Sequence, residues 1–139
     1  MQDSNVLIVW DSKWELGIPT IDVQHKHFVG LINSLYSCFK NFVSKEDVLP
    51  IIEDLVNYES IHFGTEEQYM LSTNYPEFEK HKAIHSNLKT DLLALIEKYK
   101  QGDSSDLMNL IDHLENWLVE HLITEDFRYK EHFLKANIK

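Results

Sequence analysis

Apolar residues recur every three to four positions through most of this chain. Val29, Ile32, Tyr36 and Phe39, for example, fall on one face of a helix. Only four glycines and three prolines interrupt 139 residues, which disfavours a strand-rich fold with many tight turns. The pattern predicts four helices after an N-terminal arm of residues 1–20, at about 22–43, 47–71, 76–100 and 104–130.

Breaks between these segments support the predicted boundaries. Pro50 is expected in the first turn of the second helix and Pro76 early in the third, where a missing N–H matters little. Gly102 is expected to end the third helix, and residues 103–105 to cap the fourth. Four helices of about 20 residues with short connections imply antiparallel neighbours. We therefore expect an all-α, up-down-up-down antiparallel four-helix bundle, with residues 1–139 as one domain and the arm as an irregular lid.

The charge balance excludes some partners. The chain has 23 acidic and 13 basic residues and a formal net charge of −10, so phosphate backbones and anionic lipid would be repelled. No stretch approaches the roughly 20 apolar residues of a membrane span. Cys38 is the single cysteine, which prevents an intramolecular disulfide and favours a reducing compartment. We expect a cytoplasmic protein that binds neither nucleic acid nor membranes.

Eight histidines are the unusual feature of the composition, and several have ligand-like spacing. His62 with Glu66, and His81 with His85, are four residues apart and can point at the same spot. His121 and Asp126 are five apart, so they need a local distortion such as a π-bulge to share a centre. One such pair would be unremarkable. Three such pairs on successive helices would bury many polar side chains in the bundle. That would be destabilising unless these side chains had polar partners or bound a metal, so the pattern favours a metal site.

In these motifs the chain resembles a hemerythrin, in particular a bacterial single-domain one. The family pattern is a histidine on the first helix, then His-x-x-x-Glu, His-x-x-x-His and His-x-x-x-x-Asp. Flanking residues agree along nearly the whole chain, including Trp10-Asp11, Gly17, Ile21-Asp22, Gln24, Lys26, Phe63, Glu67, Met70, Tyr75-Pro76 and Trp117-Leu118. The pattern positions themselves are His25, His62, Glu66, His81, His85, His121 and Asp126.

The resemblance implies a role for each of these residues. His81, His85 and His121 would hold one iron ion, and His25 and His62 the other. Glu66 and Asp126 would bridge the two irons together with an oxo or hydroxo group. If both irons are six-coordinate, this leaves one open position, on the iron with two histidines. The implied function is reversible binding of dioxygen, or of other small diatomics or anions, by a carrier that is not an enzyme.

The open position should lie in an apolar pocket that keeps out water. Phe63, Trp117 and Leu118 are the candidates, although each would also be explained by core packing. Glu59 precedes His62 by three residues, so it is either a partner of the site or a solvated surface carboxylate. Three further histidines match no ligand position and are interpreted as surface or supporting residues, namely His27, His113 and His132.

Other functions remain open at this point. The same di-iron site could act as a peroxidase or nitric oxide scavenger, or as an oxygen sensor that signals to a separate protein. The metal could also be zinc or manganese. Five imidazoles would suit zinc, but two bridging carboxylates and an open position on a seven-ligand site favour a di-iron pair. We expect a monomer, as in bacterial relatives of this length.

Overall fold

Five helices make up most of the chain in this computed structural model. It describes residues 6–121 and 126–136, without the side chains of residues 126 and 127. After a 3-10 turn at Ser12–Trp14, the helices are α1 (Pro19–Lys40), α2 (Lys45–Ser72), α3 (Phe78–Gln101), α4 (Ser104–Glu120) and α5 (Asp126–Lys135). Helices α1 and α3 each pack against both α2 and α4, so the four long helices form a ring. This is the all-α bundle that the sequence predicts.

Pro50 lies inside α2, so its predicted place in the first turn is wrong. The helix begins at Lys45, because the Ser44 carbonyl accepts hydrogen bonds from the N–H groups of Asp47 and Val48. Pro50 has no N–H to donate to the carbonyl four residues earlier, so α2 lacks one internal hydrogen bond there. In α1, by contrast, Pro19 occupies the first turn, where the missing N–H would have no intrahelical partner.

The last predicted helix, 104–130, includes α4 and the first half of α5, and residues 122–125 between them lie outside the described residues. Helix α4 starts with a capping box, in which Asp103 accepts from the N–H of Ser105 and Asp106 accepts from the N–H of Asp103. It ends at Glu120, and His121 adopts π-helical geometry.

The N-terminal arm is fastened to α1 by two polar side chains. Asn33 accepts from the N–H groups of Leu7 and Ile8 through Oδ1 and donates to the Ile8 carbonyl through Nδ2. Buried Asp22 accepts from the N–H groups of Leu16, at 2.8 Å, and Gly17, at 3.1 Å. Gly17 has a φ of +80°, which glycine adopts without strain, so the chain can turn there into α1.

Two apolar cores lie on either side of one polar layer. On α1 the order is Ile21 in the smaller core, then His25, then Phe28 in the larger core. On α2 the order is reversed, with Phe63 in the larger core, then Glu66, then Met70 in the smaller. The candidate ligands are therefore held between two packed regions. None of the helices in the described ranges combines the length and the apolar character that a membrane span requires.

Candidate metal centre

Six of the seven predicted ligands come together between the helices. They form two groups that share Glu66, and within each group the candidate ligand atoms lie within 4.8 Å of one another. One group is Glu66, His81, His85 and His121, and the other is His25, His62 and Glu66. Each of the six residues is at most 3% exposed. The side chain of Asp126, the seventh, lies outside the described residues.

Glu66 is the centre of this cluster. Its Oε1 atom contacts Nε2 of His62, and its Oε2 atom is 3.4 Å from Nε2 of His81. Burial alone would raise the pKa of Glu66, but the charge and hydrogen bonds of His62 and the hydrogen bond of His81 lower it well below its ordinary value. An ionised carboxylate with imidazoles at both of its oxygens has the chemistry of a group that can bind two cations.

A chain of hydrogen bonds fixes the tautomer of His62. Thr65 donates its hydroxyl proton to the Ile61 carbonyl, and Gln24 donates its amide Nε2–H to Thr65. Gln24 Oε1 then has to accept from Nδ1 of His62, at 2.7 Å. With a proton on Nδ1, His62 turns its other ring nitrogen, Nε2, towards Oε1 of Glu66 and towards Nε2 of His25, 3.1 Å away.

His85 is oriented in the same way by a carboxylate. Its Nδ1 atom donates to Oε2 of Glu67 at 3.0 Å, so its Nε2 atom is the one with the lone pair. That Nε2 is buried and has no hydrogen-bond partner in the described part of the chain. Burial lowers the pKa of His85 to about 4, so the ring is neutral at pH 7. A buried, neutral imidazole with an unsatisfied lone pair facing a carboxylate fits a metal ion.

Aromatic rings cover one side of the cluster. Phe63 stacks on His85, and Trp117 lies nearly parallel to His121 with a centroid distance of 5.4 Å. Phe28, which the sequence analysis missed, completes the group: its ring is 5.8 Å from that of His62 and 5.7 Å from that of Trp117. The signal available for Phe28 was its position one turn after His25. Leu118 is 1% exposed and packs in the larger core.

The remaining candidates differ in their surroundings. Glu59 is 2% exposed, so the alternative of a solvated surface carboxylate is wrong. His27 is exposed and its ring lies 4.1 Å from that of Tyr58. His113 is half-buried, and His132 is hydrogen-bonded to the Thr73 carbonyl at 2.8 Å. Gln24 and Glu67, to which the sequence analysis assigned no role, orient two of the candidate ligands.

The fold and the site define a class of protein: an all-α bundle whose histidines and carboxylate can hold a metal centre between the helices. Residues 16–133 match the family model described as the hemerythrin HHE cation binding domain. The chain belongs to the hemerythrin family.

Curated relatives agree with this family over most of their length. The chain is 29% identical to a bacteriohemerythrin of Clostridium acetobutylicum, over 88% of this chain and 98% of that protein. It is 31% identical to a bacteriohemerythrin of Pseudomonas aeruginosa, over 88% and 78%. It is 29% identical to myohemerythrin-1 of Phascolopsis gouldii, over 88% and 91%.

Proposed function

We propose that this protein binds dioxygen reversibly at a pair of iron ions. Membership of the hemerythrin family and the buried cluster around Glu66 support this proposal together. His81, His85 and His121 would hold one iron, and His25 and His62 the other. Glu66 and Asp126 would bridge them with an oxo or hydroxo group. When bound, the two irons would supply the electrons that reversible oxygen binding requires.

The sharing of Glu66 by both ligand groups is the observation that carries the proposal. A single-metal site would need one group of three or four ligands, whereas this cluster has two groups meeting at one carboxylate. The groups are also unequal, with three imidazoles in one and two in the other. The open position would therefore belong to the metal held by His25 and His62.

The protein's own contribution to oxygen binding would be to orient ligands and exclude water. Gln24 and Glu67 hold two imidazoles with their Nε2 atoms inward. Phe28, Phe63 and Trp117 place apolar surface against the rings of His62, His85 and His121 respectively. We assign Leu118 to the same apolar pocket. A dry pocket favours release of unchanged oxygen, because water and protons would promote loss of a reduced oxygen species.

Anaerobic reduction followed by oxygen titration tests this function. Protein loaded with iron should contain two irons per chain and show an absorption band that appears with oxygen and disappears under argon over repeated cycles. Iron-loaded, reduced protein that shows no oxygen-dependent absorption band would contradict the proposal. So would a band that never reverses.

The runner-up is a di-iron enzyme, such as a peroxidase or nitric oxide scavenger, and it makes a different prediction. Turnover with an added reductant would then continue in the steady state, with oxygen, peroxide or nitric oxide consumed many times per chain. A carrier should instead bind about one oxygen per pair of irons and stop. Measuring both quantities on one sample separates the two functions.

A further inference from the structure

Two of the candidate ligands, His62 and His85, are oriented by chemically different partners. Nδ1 of His62 donates to the neutral amide oxygen of Gln24, and Nδ1 of His85 donates to the carboxylate of Glu67. These two rings belong to different ligand groups, with Glu66 common to both. The outer partner of His85, in the group with three histidines, is therefore a carboxylate, and the outer partner of His62, in the group with two, is a neutral amide.

The difference matters because a carboxylate acts on a histidine more strongly than an amide does. A hydrogen bond to an ionised acceptor is roughly twice as strong as one between neutral groups. A carboxylate that accepts the Nδ1 proton also makes the other ring nitrogen a better electron donor to a metal. His85 is 3% exposed and its ring is stacked on Phe63, so the interaction is weakly screened on the ring's side.

We propose that Glu67 is a positioning residue that fixes His85 and favours the ferric state of the iron held by His81, His85 and His121. This inference rests on the proposed function for the identity of the metal. Gln24 fixes His62 in the same tautomer without adding a charge. The two iron positions would then differ in reduction potential through their outer partners as well as through their number of histidines.

The surroundings of Glu67 make a clean substitution feasible. Its side chain is 24% exposed and lines a groove of about 210 Å³ between α2 and α3, with Gly64 and Ser86 nearby. Glu67→Gln has the same shape and keeps an acceptor oxygen for His85, so it removes only the charge. Glu67→Ala removes the hydrogen bond as well. Glu53→Gln, at an exposed position of the same helix, is the matched control for loss of one negative charge.

The first measurement is a redox titration of the iron-loaded protein. We expect Glu67→Gln to keep two irons per chain while the ratio of ferric to ferrous affinity falls about tenfold, which equals about 59 mV for one electron. The potential should rise in Glu67→Gln and stay unchanged in Glu53→Gln. Gln24→Glu should shift it in the opposite direction. Equal potentials in Glu67→Gln and the wild type would overturn the proposal.

The second measurement uses metal-free protein and does not depend on iron. Nitrogen NMR should find His85 protonated at Nδ1 in the wild type and in Glu67→Gln, and a mixture of tautomers in Glu67→Ala. An unchanged tautomer in Glu67→Ala would show that Glu67 does not position the ring, which also refutes the proposal. If the wild type took up no iron, the proposed function would fail, and this measurement would still decide whether Glu67 orients His85.

Discussion

The rings of Phe63 and His85 are stacked face to face, with centroids 3.8 Å apart and planes 4° from parallel. The rings of Phe63 and Trp117 are also in edge-to-face contact, with centroids 5.7 Å apart. It thus covers a candidate ligand and joins it to the larger core. One side chain of α2 therefore contributes both to packing and to the dryness of the site.

Phe63→Leu should separate these two contributions. The substitution keeps most of the apolar volume, so we expect the free energy of unfolding to fall by less than about 1.5 kcal/mol. The flat ring over His85 is lost, so water should reach the site more easily and the oxygen-bound form should decay faster. Denaturant unfolding measures the first effect, and the fading of the oxygen-dependent absorption band measures the second.

Tyr99→Leu is the matched control, because it also replaces a buried aromatic ring with leucine, but at a position away from the cluster. Tyr99 is 3% exposed and packs in the same core. This variant should be destabilised without a change in the decay of the oxygen-bound form. Equal decay rates in Phe63→Leu and the wild type would contradict the assignment of Phe63 to the oxygen pocket.

Glu66→Gln should remove metal from both positions, because the same carboxylate belongs to both ligand groups. We expect metal affinity to fall by about 10- to 100-fold or more, and the iron content to fall well below two per chain. Helix content by circular dichroism should be retained, since Gln has the same shape. Plasma emission spectroscopy of the purified variant gives the iron content.

The comparison for Glu66→Gln is His113→Gln, at a half-buried histidine outside both ligand groups. It should retain two irons. If Glu66→Gln lost only one iron, Glu66 would not be shared between the two positions.

The sequence could predict those parts of the site that are fixed within one helix, but not those that depend on how two helices pack together. His62 with Glu66, and His81 with His85, were predictable, because a spacing of four residues fixes a common helix face. The partnership of Gln24 with His62 was not, because it depends on which helices are neighbours and at what height they pack. The same limit explains why Glu67 received no role before the structure placed it against His85.

Local departures from a regular helix were the other limit. Periodicity predicted one regular helix over 104–130, and the structure has π-helical geometry at His121, within that range. Periodicity also could not place Pro50 correctly. The Ser44 carbonyl accepts the first hydrogen bonds of α2, so the helix begins at Lys45, two residues before the predicted start at 47. The bundle itself was predictable, because long amphipathic helices with short connections leave few arrangements.

Asp22→Ala should loosen the N-terminal arm. The substitution leaves the N–H groups of Leu16 and Gly17 without their acceptor, and each loss is expected to lower the free energy of unfolding by about 1–3 kcal/mol. Asp22→Asn keeps one acceptor oxygen and should lose less. Urea unfolding of the two variants measures the difference. Equal stability of Asp22→Ala and the wild type would mean that the arm does not depend on this contact.

Glu59 should make the metal-free protein less stable as the pH rises. Burial raises the pKa of Glu59 from 4.5 to about 7, and the positive charge of Lys89 offsets this only in part. The folded protein therefore holds this proton more tightly than the unfolded chain does. The stability contributed by the group is fully present below about pH 4.5 and is lost as the pH rises through 7.

Glu59→Gln removes this titration and nearly preserves the shape of the side chain. The free energy of unfolding of Glu59→Gln minus that of the wild type should be about 2–3 kcal/mol larger at pH 8 than at pH 5. Urea unfolding of metal-free protein at the two pH values measures this change. Glu53→Gln, at an exposed glutamate of the same helix, should show almost none of it. If the difference in unfolding free energy between Glu59→Gln and the wild type were the same at both pH values, Glu59 would already be ionised in the folded core at pH 5. Lys89 or a bound water would then have to stabilise its charge.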